Sequence, residues 1–195
     1  GQAEYKIKSG LGVGIFKNNP VSPQHTAGDD GYLQDAAAGT MDDGITGGAG
    51  WATSTSNIQK LLGVFNGAFY IDNSTSKPTY ANSVAASTTF AKDYNTGSND
   101  GIGFVNDNPM QEYTTKCTAA ATQAQLLYTF NPQDGATAGT SEYGQSTVKL
   151  TNTGTATTAM FRIVRVANDP ANNDNSVVNS NVIVQMSPSA CKSNS

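Results

Sequence analysis

The chain has 195 residues and a mass of 20.2 kDa, which suits one large domain or two small ones. Only 13% of its residues are charged, whereas a soluble domain usually carries about 25%. The net charge of -4 argues against a nucleic-acid partner, because such binding needs clustered lysine and arginine. No apolar run approaches the ~20 residues of a membrane helix, so we expect no membrane partner either.

The first 57 residues are dense in residues that form turns. Gly10-Leu11-Gly12-Val13-Gly14-Ile15-Phe16 alternates glycine with apolar residues, and Asp30-Gly31 and Gly47-Gly48 are typical of tight turns. Long irregular stretches are rare in compact domains unless they are functional or docked on a partner. We therefore predict that residues 1–57 form an extended arm that is ordered mainly by contact with another molecule. Its predicted partner-binding residues are Leu11, Val13, Ile15, Phe16 and Trp51.

From residue 58 onward, short apolar runs alternate with turn signals. Asn66-Gly67 between two apolar runs predicts a hairpin over residues 61–71. The clearest strands are predicted at residues 161–166 and 182–186, which are rich in β-branched side chains. We predict an all-β fold, a single β-barrel or sandwich over residues 58–186 with the long irregular N-terminal arm before it and a C-terminal tail at residues 187–195.

The core of this domain is expected to come from apolar strands bounded by turns. Each of five residues lies inside such a strand, and all five should be buried. These residues are Val64, Phe104, Phe161, Ile163 and Val184.

The sequence contains no recognisable catalytic pattern. The single histidine, His25, lies among prolines in the predicted arm, where the geometry of a catalytic triad would be hard to hold. Acidic pairs such as Asp29-Asp30 and Asp42-Asp43 lack the spaced acids of a calcium loop, and such residues are common at turns. We predict no catalytic residue, no bound metal and no cofactor, so the protein is not expected to be an enzyme.

Two cysteines, Cys117 and Cys191, could form one intramolecular disulfide. Neither belongs to a Cys-x-x-Cys pair, and with one histidine the chain cannot readily assemble a zinc site. The alternative is one thiol at the end of a strand and another in a loose tail, as in a protein assembled inside a cell. Both alternatives stay open at this point.

Five short motifs follow one another between residues 58 and 186. They are Leu62-Gly63-Val64-Phe65-Asn66-Gly67-Ala68-Phe69-Tyr70, Phe104-Val105-Asn106-Asp107-Asn108-Pro109, Gly144-Gln145-Ser146-Thr147, Phe161-Arg162-Ile163-Val164-Arg165-Val166-Ala167-Asn168-Asp169-Pro170 and Asn181-Val182-Ile183-Val184. In this order they resemble a family of tailed-bacteriophage virion structural proteins, many of them head decoration or cement proteins.

The resemblance implies a non-enzymatic protein that binds the major capsid protein and stabilises the assembled head. It places the protein on the outer surface of the capsid, after assembly in the host cytoplasm. Sister copies would form a small homo-oligomer, such as a trimer. An acidic surface of low charge agrees with this location, because it avoids the packaged genome.

The alternative is a β domain on a virion or cell surface that binds glycans or attaches to a host. Aromatic side chains exposed in loops would favour it, because their apolar rings can stack on a ligand. The competing account for each ring is ordinary packing within the domain. The candidate aromatic residues are Trp51, Tyr80, Tyr94 and Tyr143.

Overall fold

The computed structural model describes residues 1–24, 31–36, 61–93, 97–133, 139–140, 143–156, 159–168 and 176–187. These ranges contain fifteen β-strands, a single 3₁₀ turn at Gln123–Gln125, and no α-helix. The prediction of an all-β fold is confirmed. In chain order the strands are β1 (Ala3–Ile7), β2 (Ile15–Phe16), β3 (Pro20–Pro23), β4 (Leu33–Asp35), β5 (Gly63–Ile71), β6 (Pro78–Ala81), β7 (Ser83–Val84), β8 (Gly101–Asn106), β9 (Glu112–Lys116), β10 (Thr129–Pro132), β11 (Gly139–Thr140), β12 (Gln145–Ser146), β13 (Leu150–Ala156), β14 (Phe161–Val166) and β15 (Asn181–Met186).

Two antiparallel sheets account for most of these strands. The first has the order β1-β8-β5-β3-β4, and β6 also pairs with β5. The second has the order β13-β10-β14-β15-β9. Two smaller pairs, β2 with β7 and β11 with β12, complete the pairing. The chain passes from the first sheet to the second between β8 and β9.

The second sheet curls until its two edges meet. Cys117, directly after β9, forms a parallel bridge with Leu150 at the start of β13. The amide of Thr118 donates a hydrogen bond of 2.9 Å to the Leu150 carbonyl. The sheet is therefore half a barrel that closes at one end and stays open at the other.

A buried asparagine holds the closed end together. Asn152 is 1% exposed, and its Oδ1 accepts a 2.8 Å hydrogen bond from the Ala119 amide. Its Nδ2 donates to the carbonyls of Ala119 and Ala120 at 3.2 and 2.9 Å. One side chain thus ties the segment after β9 to β13.

Replacement of Asn152 by alanine should therefore open this end of the half-barrel. The substitution leaves buried main-chain groups without partners, and we expect a loss of about 2–3 kcal/mol in the free energy of unfolding. Urea denaturation measures the loss, with Asn73→Ala as the control. Asn73 is exposed and bonds only Thr89 among the described contacts, so its replacement should change stability by less than about 0.5 kcal/mol. Equal effects of the two substitutions would contradict this role.

Each sheet covers its own hydrophobic cluster, and β5 contributes residues to both clusters. The first cluster contains Ile7, Leu11, Ile15, Val21, Leu33, Leu62, Phe65, Ala68, Val84, Phe90 and Val105. The second contains Ala36, Leu61, Val64, Cys117, Ala121, Phe130, Leu150, Met160, Phe161, Ile163, Val182, Val184 and Met186. Val64 of β5 belongs to the second cluster, so the first sheet also packs against the second.

The N-terminal residues differ from the predicted extended arm. All five residues of β1 pair with β8, and β3 pairs with both β4 and β5. These N-terminal strands can pack onto β8 because Gly103 has no side chain. A Cβ atom at this position would collide with the side chains of Leu33 and Ile7. Within described residues 1–24 and 31–36, β1, β3 and β4 are therefore strands of the first sheet and β2 pairs with β7, which corrects the boundary at residue 57. Residues 25–30 and 37–57 of the predicted arm lie outside the described residues.

The predicted hairpin at Asn66-Gly67 is also corrected. β5 runs through these residues as one strand, and its register against β8 shifts between Phe65 and Gly67, as at a β-bulge. Asn66 is the unpaired residue of this bulge, and the φ of +143° at Gly67, which follows it, is one that glycine adopts readily. The hairpin instead joins β5 to β6, where Ile71 pairs with Pro78.

Four of the five predicted core residues are buried as expected: Val64, Phe161, Ile163 and Val184. The prediction for Phe104 is wrong, because this residue is only half-buried. β8 turns Gly101, Gly103 and Val105 inward, so the neighbouring Phe104 lies on the other face of the strand. The predicted strand at 161–166 coincides with β14, and the one at 182–186 with β15 apart from its first residue.

Candidate functional site

The predicted partner-binding residues do not share one surface. Leu11 and Ile15 are buried in the first cluster, so the prediction of a contact role is wrong for these two. Phe16 is half-buried in β2, and Val13 is 42% exposed. Trp51 lies outside the described residues. Among the described members of this set, Val13 is the exposed one and can contact a partner without rearrangement of the fold.

Two of the four candidate aromatic residues are strongly exposed. Tyr80 is 77% exposed and Tyr143 is 68% exposed, while Trp51 and Tyr94 lie outside the described residues. The ring of Tyr80 packs on that of Phe69 with 4.8 Å between their centroids. A Cβ on Gly144, next to Tyr143, would stand 2.9 Å from the Cβ of Asn82, so the two segments are neighbours.

A cleft of about 640 Å³ opens between the two sheets. Its apolar lining includes Val64, Leu150, Phe161 and Val184, which belong to the second hydrophobic cluster. One wall is β9, and the opposite wall is the segment of residues 146–150 that leads into β13. Both walls run in the same direction from the open end toward the bridge between Cys117 and Leu150.

The main chain of β9 faces this cleft at alternate residues. The Cys117 amide donates to the Ser180 carbonyl at 3.0 Å, and the Cys117 carbonyl accepts from the Asn179 amide at 3.0 Å. Bonding in an antiparallel pair alternates along the strand, so Thr115 and Tyr113 also bond toward β15. The amides and carbonyls of Thr114 and Lys116 therefore point away from β15 and into the cleft.

One position of the same edge is already occupied. Thr118 is the next outward-facing residue, and its amide bonds the Leu150 carbonyl where the two walls meet. The bridge between Cys117 and Leu150 already joins the two walls beside Lys116, whereas among the described residues no strand pairs with the outer side of Thr114. The edge of β9 is thus open near Thr114 and closed near Lys116, above an apolar floor.

Charge is distributed unevenly along the cleft. At the open end, Glu112 forms a salt bridge of 2.7 Å with Arg165. At the closing end, the parallel register places Lys149 across from Lys116, and both residues line the cleft. The closing end therefore carries positive charge, whereas the acid at the open end is balanced by its arginine.

Tyr113 connects the two sheets from within the cleft wall. Its hydroxyl donates a hydrogen bond of 3.2 Å to the carbonyl of Asn106, the last residue of β8. Burial raises the pKa of Tyr113 to about 12, and the charge of Asp107 adds to this effect. The neutral phenol is therefore the form that the folded protein favours.

We expect the free energy of unfolding at high pH to depend on the ionisation of Tyr113. An unfolded tyrosine ionises near pH 10, so the stabilisation from neutral Tyr113 is complete below about pH 10 and is lost as the pH rises toward 12. We expect the wild type to lose more stability than Tyr113→Phe over this interval. Denaturation curves of the wild type and of Tyr113→Phe are measured between pH 9 and 12. The difference between the two proteins reports on Tyr113, because the other tyrosines contribute equally to both. Parallel curves for the two proteins would contradict the assignment.

Cys117 is a core residue rather than a reactive thiol. The side chain is fully buried, and its burial raises the pKa of the thiol to about 11. Since the thiolate is the nucleophile, we expect iodoacetamide to leave Cys117 unmodified at pH 8 and to modify it after unfolding in urea. Peptide mass spectrometry distinguishes Cys117 from Cys191, which lies outside the described residues. Equal labelling of Cys117 in the native and unfolded protein would contradict its burial.

The acidic side chain in the turn after β5 finds its hydrogen-bond donors within the turn itself. Oδ1 of Asp72 accepts hydrogen bonds from the amides and hydroxyls of Ser74 and Thr75. These bonds, led by that of the Ser74 hydroxyl, lower the pKa of Asp72 to about 2.

The described residues contain no cluster of three or more potential metal ligands. The part of the chain that the structure describes also holds no helix with the length and apolarity to cross a membrane.

Comparison with known proteins adds no relative to this picture. No protein-family model matches the chain, and no curated protein or solved structure matches it either.

Proposed function

We propose that this protein is a decoration or cement protein, which binds the major capsid protein on the outside of a tailed-phage head and stabilises it. The observation that carries the proposal is the position of the motifs behind the resemblance. Four of them overlap β5, β8, β14 and β15, which are inner strands of the two sheets. The resemblance therefore rests on the segments that organise the fold.

The exposed surface supports a role in contact with other proteins. Leu127 is 68% exposed and has a φ of +67°, a conformation that is unfavourable for a leucine. The turn holds it there through a 2.8 Å bond from the Leu127 amide to the Ile163 carbonyl. Met110 and Val178 are also strongly exposed. Such apolar side chains are suited to burial against a capsid surface.

Cosedimentation tests this function directly. Purified full-length protein is mixed with tail-free heads that lack it, and separated tails from the same phage serve as the control. We expect saturable binding to heads, with a fixed ratio to the major capsid protein, and no binding to tails. The same heads should then resist heating to a higher temperature. Absence of cosedimentation at saturating protein concentration would contradict the proposal.

Glycan binding is the second candidate function, and the exposed rings of Tyr80 and Tyr143, which lie on neighbouring segments, favour it. A glycan array tests it with the wild type and with the double substitution Tyr80→Ala and Tyr143→Ala. The matched control is Leu127→Ala, which removes an equally exposed apolar side chain elsewhere. Binding that the double substitution abolishes and the control retains would support this function. An array without binding would exclude the tested glycans.

A further inference from the structure

The outer face of the first sheet carries apolar side chains that belong to neither hydrophobic cluster. We propose that this face binds the same face of a second copy of the chain, so that the protein forms a two-fold symmetric dimer. The dimer does not depend on a capsid, because both surfaces belong to the same chain. The register of the strands, the apolar side chains and the charges beside them each support one part of this proposal.

The registers of four adjacent strands show which side chains lie on this face. Ala68 of β5 and Gly103 of β8 are paired, and both turn toward the first cluster. Successive side chains of a strand point to opposite faces, so the rows on either side of this pair turn outward. One outward row crosses all four strands from β6 to β1, with the residues Tyr80, Phe69, Ile102 and Lys6 paired in that order.

Apolar side chains dominate the two outward rows. The first row holds Tyr80, Phe69 and Ile102. The second row holds Phe104, which pairs with Glu4 of β1. Tyr80 is 77% exposed, and the other three apolar residues are only half-buried and belong to neither cluster. Contiguous apolar surface of this kind is typical of sites of protein contact.

The charges beside this apolar surface complement each other under a two-fold rotation. Glu4 and Lys6 lie two residues apart on β1, and both turn outward. A two-fold axis that lies between the two rows and crosses the strands sets the two copies of β1 antiparallel, one over the other. Glu4 of each copy then faces Lys6 of the other, and Phe104 lies over Ile102. Charge complementarity thus selects the chain itself as the partner of this face.

The salt bridge within each chain leaves Lys6 able to make this contact. Lys6 bonds Asp100 of its own chain at 3.2 Å, yet 67% of its side chain is exposed. An ammonium group has three hydrogens to donate, so it can bond a second carboxylate at the same time. Lys6 can therefore reach Glu4 of the other copy without loss of its internal bond.

The size of the face sets the expected strength of the dimer. Four strands at about 4.8 Å spacing and about five residues in length give a contact near the lower limit for a stable interface, about 1,000 Å² in total. We therefore expect a dissociation constant in the micromolar range, about 1–100 μM. Tyr80 is part of the contact, so dimer formation would compete with the glycan binding considered above.

Exchange of the charges tests the two-fold arrangement by sedimentation equilibrium of the full-length protein. We expect the wild type to form a dimer of twice the 20.2 kDa chain mass. Glu4→Lys alone and Lys6→Glu alone each place like charges opposite each other, so each should weaken the dimer about tenfold or more. An equal mixture of the two variants should recover the dimer, because each chain then supplies the charge that the other requires. The control is Lys149→Glu in the cleft between the sheets, which should leave the dimer unchanged.

Matched threonine substitutions test the apolar part of the face. We expect Ile102→Thr to weaken the dimer about tenfold, because it removes apolar surface from the centre of the contact. The control is Ile183→Thr, since Ile183 is also half-buried but lies on the outer face of the second sheet. If a charge variant does not fold, as judged by its thermal unfolding, the comparison of these two substitutions decides the proposal alone.

Four results would overturn the proposal. A wild type that stays monomeric at about 0.5 mM would leave the face to a different protein. An assembly other than a dimer would exclude the two-fold arrangement. A mixture of folded charge variants that stays monomeric would exclude the pairing of Glu4 with Lys6. Equal effects of Ile102→Thr and Ile183→Thr would place the contact elsewhere on the chain.

Discussion

Removal of residues 1–24 is expected to unfold the protein. The deletion removes β1, β2 and β3, and with them the strands that pair with β8 and β5. It also removes Ile7, Leu11, Ile15 and Val21 from the first cluster, each at least nine-tenths buried. One fully buried aliphatic side chain contributes about 1.5–3 kcal/mol, so the four together are comparable with the whole stability of a domain.

Circular dichroism and thermal unfolding measure this effect. The control is removal of Gly1 and Gln2, which are exposed and precede β1. We expect the short truncation to melt like the intact chain and the long truncation to show no cooperative transition. A cooperative transition in the long truncation would mean that the N-terminal strands are an appendage, as the sequence pattern alone suggests.

Replacement of Phe130 by alanine is expected to lower the free energy of unfolding by about 3–5 kcal/mol. Phe130 lies on β10 and is 2% exposed in the second cluster, where few neighbours can move into the space it leaves. The matched control is Leu127→Ala, three residues earlier and largely exposed, which should change stability by less than about 0.5 kcal/mol.

Chemical denaturation of the two variants gives both values under the same conditions. A loss below about 1 kcal/mol for Phe130→Ala would show that the half-barrel lacks a packed interior. A comparable loss for Leu127→Ala would show that this exposed side chain packs on the domain and is not free to contact a partner.

Local sequence signals were sufficient for the strands of the second sheet. β14 and β15 consist mainly of β-branched and aromatic residues between clear turn formers, so their identity as strands does not depend on distant contacts. The same reasoning correctly assigned Ile163 and Val184 to the core. It misplaced Phe104 because the inward positions of β8 before Val105 are glycines, which carry no hydrophobic signal.

The N-terminal strands could not be recognised in the same way. β1 alternates apolar and polar residues over only five positions, and its partner β8 lies about a hundred residues away in the chain. The first sheet fits together because Gly103 leaves room for Ile7 and Leu33. A glycine that makes room for distant side chains has the same local signature as a glycine in a loop.

The Asn66-Gly67 pair was misread for a related reason. This pair is favoured in hairpin turns, but glycine at a positive φ also suits a β-bulge. The choice between the two depends on whether a strand is available to pair along the whole segment. β8 provides that partner, and the turn forms at residues 72–77 instead.

The candidate site is a property of topology rather than of any motif. The cleft exists because β9 is an edge strand and because the segment of residues 146–150 approaches it only at Leu150. Strand order in a sheet is not encoded in local patterns. Nothing in the local sequence of β9 marks it as an edge strand.

Image reconstruction of the native particle tests the central claim most directly. The account predicts density of about 20 kDa per copy at regular positions on the outer surface of the head, into which the two sheets fit. A head surface without this density, while the protein is found elsewhere or is absent from the particle, would contradict the account.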